Sequence, residues 1–270
     1  MPRKSNEFDK LTINEFELLF LGTASGIPVP DRNSSSIWLK VGKKNYLLDA
    51  GEGVSQSVLK HKLPFNELEA IFITHCHPDH CTGLPLLLQL MQVNKREKPL
   101  TVFLPEEGIE PTARYLWGCY LFPEFTTFQY KLEKLNENHG YEDKEIQIIS
   151  HLNSHLRNYR ELVQLYSYPN RMQCYSLMIE IGERKIVYSS DLGSIYDLSG
   201  IAQEADILIV EGLHIESEEL FSRLTEWRVK KAIMTHFRPG LDNKEQSIIA
   251  MAKKYGVKNF KLAFDGMKVK

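Results

Sequence analysis

Four candidate metal ligands fall within six residues at Thr74-His75-Cys76-His77-Pro78-Asp79-His80. They follow the apolar run Ala70 to Thr74, which reads as a strand, so they stand at the mouth of a sheet. Imidazole and carboxylate suit zinc, and also iron or manganese. His75 and His77 alternate along the chain and can face one ion, while Asp79 and His80, turned by the chain, can face a second. The competing reading is a polar loop with chance histidines. It is weak, because desolvating three imidazoles and a carboxylate together is costly unless they are paired or metallated. Cys76 lies between two of these histidines, so its alternating side chain points away from the ions. Cys81 is next to the cluster, open to oxidation or to binding a wrong metal.

Four residues do not complete two coordination spheres, so further ligands must come from other strand ends. Asp191 follows the run Lys185–Ser190, and His236 follows Lys231–Thr235. His151 and His155 both follow Glu145–Ser150, and a period of two puts both on one face. A hydrolysis that expels an alkoxide also needs an acid. His214, three residues past the strand ending at Glu211, is the best placed of the remaining histidines, and Glu211 can hold a nearby histidine; a surface loop is the alternative for both. His61, between Lys60 and Lys62, and His139 in NENHGYED read as solvated residues. Arg157-Asn158-Tyr159-Arg160, with Arg171 and several tyrosines near, reads as a phosphate- and base-facing lid or as a variable loop.

The elements that must position these groups alternate. Phe16 to Leu21, Ser36 to Val41, Asn45 to Leu48, Ala70 to Thr74 and Thr101 to Leu104 read as strands, with helices over Val54 to His61, Leu84 to Val93 and Pro111 to Leu121. Glu145 to Ser150, Cys174 to Ile181, Ile186 to Ser189, Asp206 to Glu211, Lys231 to Thr235 and Phe260 to Phe264 continue the rhythm. Asn243 can cap a helix reaching Tyr255. An echo links NYLLDAG to IVYSSDLG and AIFITH to AIMTH, which as a duplication implies two face-to-face sheets with helices outside.

The chain has 270 residues, of which 43% are hydrophobic and 25% charged, and a net charge of −2. That composition excludes disorder and a disulfide-stapled mini-protein. No linker divides the chain, so a single domain over residues 1–270 is expected. The polar start MPRKSNEFDK lacks the apolar stretch of a signal peptide, and four cysteines without a CxxC pair suit a reducing, cytoplasmic compartment. LPLLLQLM is far too short to span a membrane.

The chain resembles the metallo-β-lactamase superfamily, whose HxHxDH signature is matched in full by His75, His77, Asp79 and His80. It is most similar to the ribonuclease Z-like branch, through FLGTASGIPVPDRNSSSIWL, LLDAGEGV and IFITHCHPDHCTGLPLLL; beyond about residue 90 the match thins to His155, Asp191 and His236. The resemblance implies an α/β fold, a four-layer αββα sandwich, with two divalent ions at one edge, zinc first and manganese or iron as alternatives. It implies His75, His77 and His155 on one ion, Asp79, His80 and His236 on the other, and Asp191 bridging, with His151 as runner-up to His155. Asp49 is then expected to orient a ligand histidine from behind. A homodimer is also implied.

The implied reaction is hydrolysis, with Asp79 orienting the nucleophile or moving its proton and His214 protonating the leaving group. The favoured substrate is a small or nucleotide-like phosphodiester, with Arg157 and Arg160 as phosphate contacts. Transfer-RNA 3′ processing and lactone or thioester hydrolysis are the alternatives. Three departures stand against transfer RNA. Only 35 residues lie between His155 and Asp191, where an RNA-gripping arm belongs; Pro30 replaces a basic residue; and EGLH stands near the place of a His-Glu-Ala-Thr element. A net charge of −2 offers no evident surface for a polyanion.

Overall fold

Apolar runs that lack a polar alternate face can be buried on both sides of a sheet. The computed structural model describes residues 15–138, 140–240 and 244–270, and its inner strands are buried in this way. β1 (Phe16–Gly22), β2 (Ser36–Val41), β3 (Lys44–Leu48), β4 (Leu68–Phe72), β5 (Leu100–Pro105) and β6 (Tyr130–Leu135) form one sheet, closed on the β1 side by β14 (Lys268–Val269). β7 (Gly140–Glu142), β8 (Gln147–Leu152), β9 (Tyr175–Ile181), β10 (Arg184–Tyr188), β11 (Ile207–Gly212), β12 (Ala232–Phe237) and β13 (Phe260–Leu262) form the second, in the order β13-β12-β11-β10-β9-β8-β7.

The alternation within each strand sets the layers. Leu18 and Phe20 of β1, Tyr46 and Leu48 of β3, Ile186 and Tyr188 of β10, and Ile207 and Ile209 of β11 meet in the core between the sheets. Leu19, Leu21 and Leu47 face outward onto α1 (Val54–Lys60), α3 (Leu84–Val93) and α4 (Glu106–Gly118). Val187, Leu208 and Val210 face α6 (Ser217–Glu226) and α7 (Glu245–Lys254) on the other side. Each such side chain contributes roughly 1.5–3 kcal/mol by leaving water. The result is a four-layer αββα sandwich.

The sheets share a plan: a hairpin, β2-β3 or β9-β10, then parallel strands β4-β5-β6 or β11-β12-β13. β11 is therefore the positional counterpart of β4. The AIFITH/AIMTH echo, which pairs β4 with β12, is corrected by this order; the pairing of the strands before Asp49 and Asp191 is not. The helix expected over Pro111–Leu121 runs instead from Glu106 to Gly118, with Glu106 and Glu107 in its first turn and Pro111 inside it. Acidic residues favour a helix start, which Pro111 does not set here. β6, with Lys131, Glu133 and Lys134, lacks the apolar run that marks the inner strands. His139 and Asn243 lie outside the described residues.

One carboxylate ties the sheets together at β7. Asp143 accepts hydrogen bonds from Lys44 (2.8 Å) and Tyr46 (2.7 Å) of the first sheet, and from Tyr141 (2.6 Å) and the Glu145 and Ile146 amides of the second. Burial alone would raise its pKa, but these donors hold it at about 2, against a usual 3.8. A depressed carboxyl stabilises the fold above its ordinary pKa, and that contribution fades as pH falls from about 4 toward 2. Asp143→Asn is expected to cost about 1–2 kcal/mol at pH 7, allowing for solvent screening. Urea unfolding at pH 7, 4 and 2.5 should show the gap to wild type narrowing with acid. A gap independent of pH would refute this role.

Candidate metal centre

The strands deliver their polar ends to one edge. After β4 the chain runs extended through Thr74, His75 and His77, until Pro78 opens the short helix α2 (Pro78–Cys81). Proline suits a first helical position, and the turn it starts brings Asp79 and His80 to the same edge, with the His75 and His80 ring centroids 4.1 Å apart. This turn docks on the loop after β3. The Ala50 amide donates to the His80 carbonyl, and the Gly83 amide to that of Ala50, both at 2.8 Å. Gly83 is required there, since a Cβ would lie 2.1 Å from the Gly51 carbonyl oxygen.

Asp49, in that loop, is fully buried. Its carboxylate accepts from the Thr74 amide (2.8 Å), the Thr74 hydroxyl (2.9 Å) and the Tyr188 hydroxyl (2.7 Å). It also faces His80 Nδ1 at 2.8 Å, which leaves His80 Nε2 to point into the cluster. Ser35 does the same for His236, 2.8 Å from its Nδ1. The Thr74 hydroxyl lies 3.3 Å from His75 Nδ1, and the Ser190 hydroxyl 3.5 Å. A partner on one ring nitrogen fixes which nitrogen is offered forward. Asp49, Ser190 and His236 all have left-handed backbone, with φ of 58°, 53° and 55°.

Two groups of ligand atoms result, each within 4.8 Å of one another: His75, His77, His155 and Asp191, and Asp79, His80, Asp191 and His236. Asp191 belongs to both. Its Oδ2 lies 3.5 Å from His155 Nε2 and 3.9 Å from His75 Nε2, and its Oδ1 lies 3.3 Å from His80 Nε2 and 3.2 Å from His236 Nε2. Asp79 Oδ2 is 3.5 Å from His80 Nε2 and 3.7 Å from His236 Nε2.

His75 Nε2, His80 Nε2, His236 Nε2 and Asp191 Oδ1 are buried without a hydrogen-bond partner. Polar atoms so stranded are costly unless a cation takes their lone pairs. Burial lowers the pKa of His75 and His77, and brings His155 to about 4, so these three imidazoles are neutral and ligand-ready. Burial opposes charge on His80 as well, but Asp191 and Asp49 outweigh it and raise its pKa. Asp191 is held well below the usual carboxylate range by His236 and His80, against the effect of burial. An all-nitrogen and carboxylate donor set of this kind fits divalent zinc, manganese or iron.

Above the cluster opens a cavity of about 660 Å³. His77, Asp79, His155, Asp191 and His236 form its floor, with Asn158, Tyr159, His214 and Arg238 around it. His214 lies with its ring 4.8 Å from that of His155 and its Nδ1 3.3 Å from Glu211 Oε1. The Glu211 contact outweighs burial and raises the pKa of His214. Glu211 also accepts the amides of Leu213 and His214, so one carboxylate shapes the loop and holds the ring.

Some sequence candidates lie elsewhere. His151 stays in β8 opposite Ser176 and joins neither group, because β8 ends at Leu152 and the chain turns before His155 opens a 3-10 turn. Arg157 and Arg160 are exposed and do not line the cavity; the segment presents Asn158 and Tyr159 to it instead. Cys76 Sγ points at Gly108 of α4, away from the cluster, and His61 closes α1. Ser35, Thr74, Tyr188, Ser190 and Arg238 have no site role in the sequence reading. Only their folded proximity marks them.

The family model described as Anti-Pycsar protein Apyc1 matches residues 16–255. Ribonuclease Z of Archaeoglobus fulgidus is 26% identical over 283 aligned positions, covering 88% of this chain and 92% of that protein. Ribonuclease Z of Synechocystis sp. is 30% identical over 275, covering 83% of each. Among solved structures, the metallo-β-lactamase fold protein YhfI from Bacillus subtilis superposes with a TM-score of 0.76 over 95% of this chain and 99% of that one. Its 19% identity speaks to the fold alone.

Proposed function

The chain belongs to the Anti-Pycsar protein Apyc1 family and to the ribonuclease Z-like branch of the metallo-β-lactamase superfamily hydrolases, and we propose that it is a metal-dependent phosphodiesterase for small or nucleotide-like substrates. The observation that carries this reading is Asp191, shared by two ligand groups on the floor of an open cavity of about 660 Å³. That volume lies within the range of small-molecule sites. The reading takes the whole chain as one such domain. No helix among the described residues is long and apolar enough to cross a membrane.

His75, His77 and His155 would hold one divalent ion and Asp79, His80 and His236 the other, with Asp191 between them. Ions so bound supply Lewis acidity, making water nucleophilic near neutral pH and offsetting charge on the phosphoryl oxygens. The protein's own groups do the rest. Asp79, which lines the cavity, orients the attacking water and accepts its proton. As the water oxygen bonds to phosphorus and the bond to the leaving oxygen breaks, His214, whose pKa Glu211 raises, gives that oxygen its proton. Asp49 and Ser35 keep His80 and His236 turned inward throughout.

Transfer-RNA 3′ processing is the second reading, favoured by the name ribonuclease Z on relatives that align over most of the chain. Against it, α5 (Arg160–Tyr166) and the 3-10 turn before it are the helical elements described between His155 and Asp191. Rates on bis(4-nitrophenyl) phosphate, cyclic nucleotides, precursor transfer RNA and a lactone, with metal content measured, decide between them. The proposal expects the first two to turn over at least tenfold faster than the others. Turnover of the lactone alone would sink it, and precise cleavage of the precursor as the fastest reaction would establish the second reading.

A further inference from the structure

Arg238 stands where the chain leaves β12, two residues past His236, and it lines the cavity with His214. Its Nε donates to the Leu213 carbonyl at 2.7 Å, which fixes the plane of the guanidinium beside the loop that carries His214. Its Nη2 lies 3.7 Å from Glu216 in an exposed pair, and such pairs contribute little. Among the described residues, Nη1 has no acceptor within hydrogen-bond distance. With Nε engaged, the edge formed by Nη1 and Nη2 still offers two parallel N–H groups, the fork that matches two oxygens of a phosphate.

The charge of the cavity gives that fork its meaning. Arg238 is the only lysine or arginine among the described residues lining it, whereas Asp79 and Asp191 put carboxylates on the floor. Arg157 and Arg160, which the sequence offers for phosphate, face solvent. A neutral ester has no use for a fixed cation at the rim. A phosphate-bearing substrate does, because the ligand histidines and carboxylates provide no donor for its outer oxygens.

Resting on the hydrolase reading above, we propose that Arg238 is a specificity-determining residue that grips the substrate's phosphate oxygens outside the metal ligands. It thereby selects anionic phosphate compounds over neutral esters and lactones. Arg238 does not touch the bond that breaks, so its loss acts on binding rather than on the chemical step.

The test uses metal-loaded wild type, Arg238→Gln and Arg238→Lys. Calorimetry with adenosine 5′-monophosphate should show binding weakened about 10–100-fold in Arg238→Gln, as for a lost charge-assisted contact. Arg238→Lys should fall between, since a point charge replaces part of the fork. KM for bis(4-nitrophenyl) phosphate should rise in parallel with kcat within about threefold, and hydrolysis of 4-nitrophenyl acetate and the metal-to-protein ratio should stay unchanged. Equal nucleotide affinity in wild type and Arg238→Gln would overturn the proposal, as would a wild type that does not bind the nucleotide. So would a parallel loss of esterase activity, which would make Arg238 a brace for the Leu213 loop. If no diester turns over while the affinity difference persists, the phosphodiesterase reading fails and the anion site stands.

Discussion

Asp191→Ala protein is expected to bind one metal ion per chain or fewer where wild type binds about two, and to lose at least a hundredfold in hydrolysis. The expectation follows from the division of labour between its two oxygens, Oδ2 toward His75 and His155 and Oδ1 toward His80 and His236. Alanine removes a ligand from both groups at once and leaves the Nε2 atoms of His75, His80 and His236 buried around an empty space. Mutual repulsion then opposes binding of a second cation. Asp191→Asn separates shape from charge: it fills the space but cannot bridge two cations as an anion, so its stoichiometry should also fall. Metal analysis after gel filtration, together with kcat/KM on a diester, reads both effects. A ratio that stays near two in Asp191→Ala would refute the bridging role outright.

The second large effect lies far from the metals. Arg96 is only 1% exposed, and its five N–H groups are all engaged with backbone carbonyls. Nε donates to Lys98, Nη1 to Phe65 and Asn66, and Nη2 to Leu68 and Pro99, with the Phe128 ring 5.4 Å from the guanidinium carbon. One side chain therefore satisfies the carbonyls of two chain segments, the entry to β4 and the entry to β5. Burial lowers its pKa to about 10, which still leaves it charged at neutral pH. Arg96→Met keeps the apolar bulk and strands the acceptors, so it should cost about 3–5 kcal/mol in urea unfolding. Arg96→Lys, with three donors in another geometry, should recover less than half of that. A loss below about 1 kcal/mol in Arg96→Met would show that water replaces the guanidinium, and would overturn this account.

Legibility in the sequence followed distance along the chain. His75, His77, Asp79 and His80 are readable because they are contiguous and their spacing carries geometry. Asp191 and His236 are readable as polar residues closing apolar runs, a signal that needs only the sheet's edge. His155 was harder to separate from His151, since extending the strand's period assumes the strand continues, and β8 ends at Leu152. The partners Ser35 and Tyr188 leave no local trace. Ser35 meets His236 across 201 positions, and Tyr188 meets Asp49 across 139. The RNYR segment misleads for a related reason: its arginines supply the right chemistry, but the turn that begins at His155 presents the residues between them. The layers were legible because strands buried on both faces need apolar runs, whereas β6 was not because its face toward solvent is charged.

The left-handed backbone at Asp49, Ser190 and His236 bears on how this chain changes over generations. Side chains with a Cβ enter that region at roughly 1–2 kcal/mol each, and the stranded nitrogens of the cluster add to the burden on the metal-free fold. Drift toward glycine or asparagine at such positions relieves strain, and a lineage with no use for hydrolysis would have nothing to oppose it. This chain keeps all seven candidate ligands in register with their supporting residues. Cations bound by such a set would offset that cost, so the metal-free fold is expected to be the less stable one.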